Sequence, residues 1–408
     1  MELTAELDGT RAIAMRKDPS EYDAAKDVPQ GQPRGSCTVN IHHHLDLEKG
    51  SRRYPEAVPK RKSPHRPLAS NSRSKDLLTS IILHPKGPFD LPLSLQAAAS
   101  FFPAIGPPDI VLRAPLLLPD ATIIDIRQSS MRPSLITASA SPAIDLNRLR
   151  AAAKWLISWD LDLRPFYEQV ASHRIMGPVT AALTGLKPLR PATLFEMAAI
   201  AITEQQLSLA AAFHIRTRLV KRFGTPLDGL RIFPSPRRIA AARLRELTVC
   251  GLSLRKAQYL KGLARATMRG GLEFEALAPH SDQQISRTLM SNRGFGEWST
   301  QYILARGFGR PDILPSGDVG LRRVVGHYFA AGRRLTSTEL EHALLPFRPF
   351  RGLAAFYLSV HWRLCRAGAT LILARPLRSA GVSSKMSTPG AATGAAQTPG
   401  ATAKRRSS

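Results

Sequence analysis

Apolar residues recur along this chain in two rhythms, and the change falls near residue 150. Between 76 and 147 they come in short runs with β-branched content, broken by Pro and Gly. LLTSIILH (77–84), IVLRAPLLL (110–118) and TIIDIRQ (122–128) predict strands, with two-residue alternation clearest in the last. LPLSLQAAASFF (91–102) predicts a helix between the first two. From 151 to about 375 the spacing becomes helical, and several starts are marked. Thr193-Leu-Phe-Glu196 is a capping box opening a helix that is expected to run to Gly224, after Lys221 and Arg222. Ser235-Pro236 puts a cap before a proline whose missing N–H costs nothing there. Ser253 opens LRKAQYLKGLARATMR, closed by Gly270-Gly271, and Thr336-x-x-Glu339 opens a further helix. The expectation is an α+β chain: a small β-rich N-terminal unit over 76–150 and an all-helical domain over 151–375.

The ends differ from this middle. Residues 1–75 are sparse in apolar side chains and dense in proline and charge, and 376–408 is Ala/Gly/Thr/Pro/Ser-rich, closing on Lys404-Arg405-Arg406. Both are expected to be disordered, the first as a basic leader and the second as a low-complexity tail. His42-His43-His44 has no second ligand cluster in sequence and reads as a chance tract rather than a metal site.

Of 408 residues, 57 are Lys or Arg and 31 Asp or Glu, a formal charge of +26. Residues 1–75 hold 14 basic and 10 acidic residues and 376–408 five basic and none acidic, which leaves 38 basic against 21 acidic over 76–375. A basic excess on the part that folds points to a polyanionic partner, nucleic acid before an anionic membrane. No run of 18 apolar residues predicts a membrane span, and the charged first thirty residues do not read as a secretory signal. Three cysteines, Cys37, Cys250 and Cys365, are too few for a disulfide framework, a four-cysteine zinc site or an iron–sulfur cluster.

The chemistry concentrates in 285–330. A helix is expected to end near Met290, followed by Arg293-Gly294-Phe295-Gly296 and a second helix from about Glu297. Two glycines allow a tight turn and close backbone approach, and the next helix start presents unpaired N–H groups that suit a phosphate, with Ser299 and Thr300 as extra donors. The same residues also fit a plain interhelical turn. Twenty residues past Trp298, Asp318 follows a Pro/Ser/Gly loop and precedes a helical run, where a carboxylate can serve simply as a cap.

Taken in order, Glu204-Gln205-Gln206-Leu207-Ser208, Gly294-Phe-Gly296-Glu-Trp298-Ser-Thr300 and Gly317-Asp318 resemble the helix-hairpin-helix DNA glycosylases. Segments 233–266, 87–95 and 161–167 are also similar, so the likeness covers about 76–375, and Trp298 within the hairpin points to the 3-methyladenine DNA glycosylase II branch. The resemblance implies base-excision repair of alkylated purines in duplex DNA by a monomer in the cytoplasm or nucleoid, or the nucleus of a eukaryotic host. Asp318 would be the catalytic carboxylate, and Trp298 and Tyr302 would line the base pocket. Gly294, Gly296, Ser299 and Thr300 would hold DNA, Gln206, or its neighbour Leu207, would fill the vacated stack, and Ser208 would hold that segment or touch phosphate. Backbone carbonyls of Met290, Asn292 and Phe295 match positions that hold Na⁺ or K⁺ in relatives; no other cofactor is implied. Lyase relatives carry lysine where Trp298 stands, so a monofunctional hydrolase is expected. A further aromatic of the family falls at Ser359, which would leave a more open pocket. The competing expectations are a glycosylase for another lesion class and a non-catalytic DNA-binding hairpin protein.

Overall fold

The computed structural model describes residues 78–99, 111–118 and 120–366. The leader over 1–75 with its histidine run and the tail over 376–408 lie outside the described residues.

Strands β1 (Thr79–Leu83), β2 (Val111–Leu118), β3 (Asp120–Gln128) and β4 (Ile136–Ser141) form an antiparallel sheet in the order β1-β4-β3-β2. Three of the four are the predicted strands. The fourth, ITASAS, was not among them, yet it lies between β1 and β3. Its buried face is Ile136, Ala138 and Ala140, alternating with Thr and Ser. Two methyl groups give little hydrophobic signal, but they leave room for helix α2 (Leu146–Leu156) to pack across the sheet through Leu149, Ala153 and Leu156. Helix α1 (Leu91–Ala98) begins at Asp90, whose carboxylate accepts the Leu93 N–H at 2.8 Å.

The rest is helical apart from a two-stranded hairpin, β5 (Thr225–Leu227) and β6 (Leu230–Ile232). Short helices α3 (Arg164–Val170) and α4 (Met176–Ala182) lead into α5 (Leu194–Glu204) and α6 (Leu209–Phe223). The single helix expected from Thr193 to Gly224 is therefore two. The break falls at Gln205, where ψ turns to 123°, and Gln206, held at φ +54°. Lys256 donates to the carbonyls of Thr203 and Gln205, and the Ser208 hydroxyl caps the new helix by accepting the Ala211 N–H at 3.2 Å. The caps read from sequence are made: Thr193, Ser235, Ser253 and Thr336 each accept an N–H three residues on. They open α5, α7 (Pro236–Ala241), α9 (Leu254–Met268) and α14 (Ser337–Leu344). Helices α8 (Leu244–Val249), α10 (Phe274–Leu277), α11 (Asp282–Met290), α12 (Glu297–Ile303), α13 (Val319–Phe329) and α15 (Arg351–Arg366) complete the order.

Apolar side chains gather in two cores. One joins the inner face of the sheet to α2, α5, α6, α7, α9, α11 and α12; the other joins α3, α4, α13, α14 and α15. The chain crosses to the second core between α2 and α3, returns between α4 and α5, and crosses again between α12 and α13.

Glu196, in the first turn of α5, is buried and accepts the Ala192 N–H at 3.1 Å. Burial pushes its carboxyl up to about 7, against the opposing pull of that bond and of Arg216. Because the folded chain holds this proton more tightly than the unfolded one, the contribution to stability is complete below about pH 4.5 and is lost as pH rises through 7. Glu196→Gln should keep the acceptor and remove the titration. Urea unfolding of parent and variant should diverge in the variant's favour between pH 5 and pH 8; parallel pH profiles would refute the assignment.

Candidate active site

Helices α11 and α12 are joined by a six-residue turn, Ser291–Gly296. Gly294 has φ +106°, and a Cβ there would lie 2.6 Å from the Tyr259 ring, so both conformation and packing require glycine. Gly296 is exposed and caps α12; a Cβ on it would meet nothing within 4 Å. Open backbone at a helix start, with N–H groups that the helix itself cannot pair, is the arrangement that binds phosphate oxygens. Exposed Arg293 adds positive charge beside it.

After α12 the helix widens into a π-helical stretch, Leu304–Phe308, and ends at Gly309 with φ +72°. The following loop is tied to α15: Asp312 pairs with Arg351 through two contacts of 2.7 and 2.9 Å, and the Leu353 N–H donates to the Pro311 carbonyl at 2.9 Å. The loop delivers Asp318 to the start of α13. One carboxylate oxygen caps that helix, accepting the Leu321 N–H at 2.7 Å, and the other accepts the Trp298 indole N–H at 3.0 Å. Asp318 is thus both the cap that its position suggests and a carboxylate aimed at the hairpin helix. It is half-buried, with Gly317 exposed next to it and lying against Trp298.

Trp298 stacks on Tyr302, ring centroids 5.2 Å apart and planes 16° from parallel. One indole face is therefore covered, and a base stacking on Trp298 would meet the opposite face. The Tyr302 hydroxyl does not open towards that side: it hydrogen-bonds the Glu204 carboxylate, which also accepts from Arg216 at 2.8 Å. Burial, followed by the Glu204 charge, holds the Tyr302 phenol well above its ordinary value, and burial raises Glu204 despite Arg216. Arg306 lies over the Phe356 ring at 4.5 Å, its basicity lowered by burial. A buried polar network thus underlies the two aromatic rings. At the position of the missing late aromatic, Ser359 donates to Ala355 within its own helix, while neighbouring Tyr357 is buried in the second core.

Gln206, Leu207 and Ser208 are exposed at the α5–α6 break, Leu207 by 43%. The expectation for Ser299 and Thr300 is corrected. Both side chains are buried at 2% exposure, and Ser299 Oγ accepts the Gln205 amide at 2.9 Å, so neither hydroxyl faces solvent as a phosphate donor. The helix period explains this, because Ser299 and Thr300 share the inward face of α12 with Ile303. Of the three carbonyls matched to a cation, Met290 ends α11, and that of Asn292 accepts the Phe295 N–H at 3.2 Å within the turn.

Several residues at this site were given no role from sequence: Glu204 and Gln205, which were named only as part of a motif, and Arg216, Lys256 and Tyr259. Arg216 carried a signal, since it falls on the apolar stripe Ala212, Ile215, Leu219, Phe223 of α6. The others required knowledge of which helices meet.

The family model described as "HhH-GPD superfamily base excision DNA repair protein" matches residues 199–349, which contain the hairpin and Asp318. The chain is 28% identical over 218 residues to the DNA-3-methyladenine glycosylase of Bacillus subtilis, covering 52% of this chain and 71% of the relative. It is 28% identical over 187 residues to DNA-3-methyladenine glycosylase 2 of Escherichia coli, covering 45% and 63%. The solved 3-methyladenine DNA glycosylase of Archaeoglobus fulgidus shares the fold at a TM-score of 0.61 and 23% identity, over 70% of this chain and 99% of that one. Among the described residues no helix is long and apolar enough to cross a membrane. Residues 199–349 thus match the helix-hairpin-helix superfamily of base excision DNA repair proteins, and the sequence is similar to that superfamily's 3-methyladenine DNA glycosylases.

Proposed function

We propose that this protein excises alkylated purines from duplex DNA by hydrolysing the N-glycosidic bond. One observation carries the reading: the hydrogen bond from the Trp298 indole to the Asp318 carboxylate, one helix away from an exposed glycine turn. Breaking an N-glycosidic bond leaves positive charge on the deoxyribose. A carboxylate fixed by two hydrogen bonds in a partly desolvated position stabilises that charge without having to reorganise. The same carboxylate can orient the attacking water. Water adds to C1′ and gives up a proton, the base leaves with the bond's electron pair, and an abasic site remains. An indole cannot form a Schiff base, which supports hydrolysis without strand cleavage.

The target base must leave the stack to reach Asp318. The exposed segment Gln206–Leu207 is suited to fill the gap, and the backbone of Gly294–Gly296 to hold the strand. An alkylated purine such as 3-methyladenine or 7-methylguanine carries positive charge on its ring. Stacking on the Trp298 face opposite Tyr302 would then add a cation–π attraction of about 0.5–2 kcal/mol. Carbonyl oxygens of Met290, Asn292 and Phe295 are hard donors that would suit a monovalent cation beside the phosphate.

Asp318→Asn should retain duplex affinity while single-turnover release of 7-methylguanine falls by about 10²–10³-fold; release within tenfold of the parent would remove Asp318 from the chemistry. Trp298→Phe keeps a ring on Tyr302 but deletes the indole donor, so release should fall about tenfold, the weight of one charge-assisted hydrogen bond, with binding unchanged. An unaltered rate in that variant would leave the indole N–H without a role. Duplex affinity measured between 50 and 300 mM salt should decline with a log–log slope near −0.9 per phosphate contacted. A flat response is incompatible with DNA as the substrate.

A further inference from the structure

The function proposed above needs two parts of the surface to act on DNA at once, one holding the strand and one entering the stack. These parts come from segments about ninety residues apart, α5–α6 and α11–α12, and one side chain joins them. Gln205 leaves the C-terminus of α5, and its amide nitrogen donates to the Gly294 carbonyl at 2.7 Å and to Ser299 Oγ at 2.9 Å. Both amide hydrogens are therefore spent on the hairpin. The next residue, Gln206, sits at φ +54°, a conformation that L side chains adopt only when their surroundings hold them there. The same two segments are also braced by α9. Lys256 donates to the carbonyls of Thr203 and Gln205, and Tyr259, three residues on along the same face, packs against Gly294.

We infer that Gln205 is a positioning residue that couples the hairpin's grip on the strand to eversion of the target nucleotide. It rests on the glycosylase reading and adds to it the residue through which two DNA-contacting segments act as one. Pushing a base out of a duplex costs unstacking and unpairing, and backbone contacts can offset that cost only if the filler and the clasp keep a fixed separation. With Gln205 in place, Gln206–Leu207 cannot retreat without pulling on the Gly294 carbonyl. Without it, the hairpin still binds phosphate and Asp318 still meets its indole, but the filler is tied to the clasp only indirectly, through α9. The deficit should therefore appear wherever eversion is costly and vanish where it is cheap.

The test uses the full-length protein, Gln205→Leu, and Ser299→Ala as a milder variant that removes one of the two acceptors. Affinity for undamaged duplex is measured first. Single-turnover release of 7-methylguanine is then followed from a lesion paired with cytosine and from the same lesion facing an abasic site, where little pairing has to be broken. Gln205→Leu should bind undamaged duplex as the parent does and lose about tenfold in release from the paired lesion, the weight of two neutral hydrogen bonds. Opposite the abasic site it should release the base at nearly the parent's rate, and Ser299→Ala should show the same pattern at smaller amplitude. Equal losses on the two substrates, a matching loss of duplex affinity, or no loss at all would each overturn the inference while leaving the glycosylase reading intact. Failure of the parent itself to release the base from either substrate would overturn that reading, and this inference with it.

Discussion

The site depends on one hydrogen bond made across a seam. Trp298 belongs to a helix packed in the core that contains the sheet, and Asp318 begins a helix packed in the other. The 3.0 Å contact between indole N–H and carboxylate therefore fixes a side chain of one core against the first residue of a helix in the other. A carboxylate placed at a seam can be partly desolvated and still reachable by a ligand, which suits electrostatic stabilisation of a transient cation. The Asp312–Arg351 pair and the cap on Leu321 hold the acid from the other direction. Neither partner of the hydrogen bond has to be ordered when a substrate arrives.

Beneath that contact the protein tolerates an expensive arrangement. Glu204 and Arg216 are nearly without solvent, and a buried ion pair recovers little of its desolvation cost unless its remaining hydrogen-bonding positions are also filled. Here the carboxylate receives the Tyr302 hydroxyl as well as Arg216, and Tyr302 in turn carries the ring of Trp298. The network orients an aromatic platform that apolar packing alone would leave free to rotate. Tyr302, which the family resemblance placed in the pocket wall, lies between the buried charges and the half-buried Trp298 ring.

Local signals were legible wherever the chemistry was local. Thr193, Ser235, Ser253 and Thr336 announced their helices because a cap is a bond between residues three apart. The glycines of the hairpin were visible for the same reason, whereas the order hairpin-then-aspartate spans twenty residues and was read through the family resemblance that it helped to carry. What misled was sequence lacking a strong local cue. The α5–α6 break has no glycine or proline, since Gln206 takes its positive φ from Lys256 and the Ser208 cap rather than from its own preference. Strand β4 is hidden by alanine, whose burial depends on what lies across from it.

By itself, then, the sequence determined the two rhythms and the capped helices, which are local properties, the basic excess of the middle, which is compositional, and, through the resemblance of its ordered motifs to a family, the candidate acid Asp318. Only the tertiary structure decided which side chains meet. It turned Ser299 and Thr300 inward, set Tyr302 on a buried carboxylate, brought Gln205 to a hairpin ninety residues away and aimed the Trp298 indole at Asp318. Those outcomes rest on how two cores pack, and a hydrogen bond across such a distance in sequence leaves no periodicity to read.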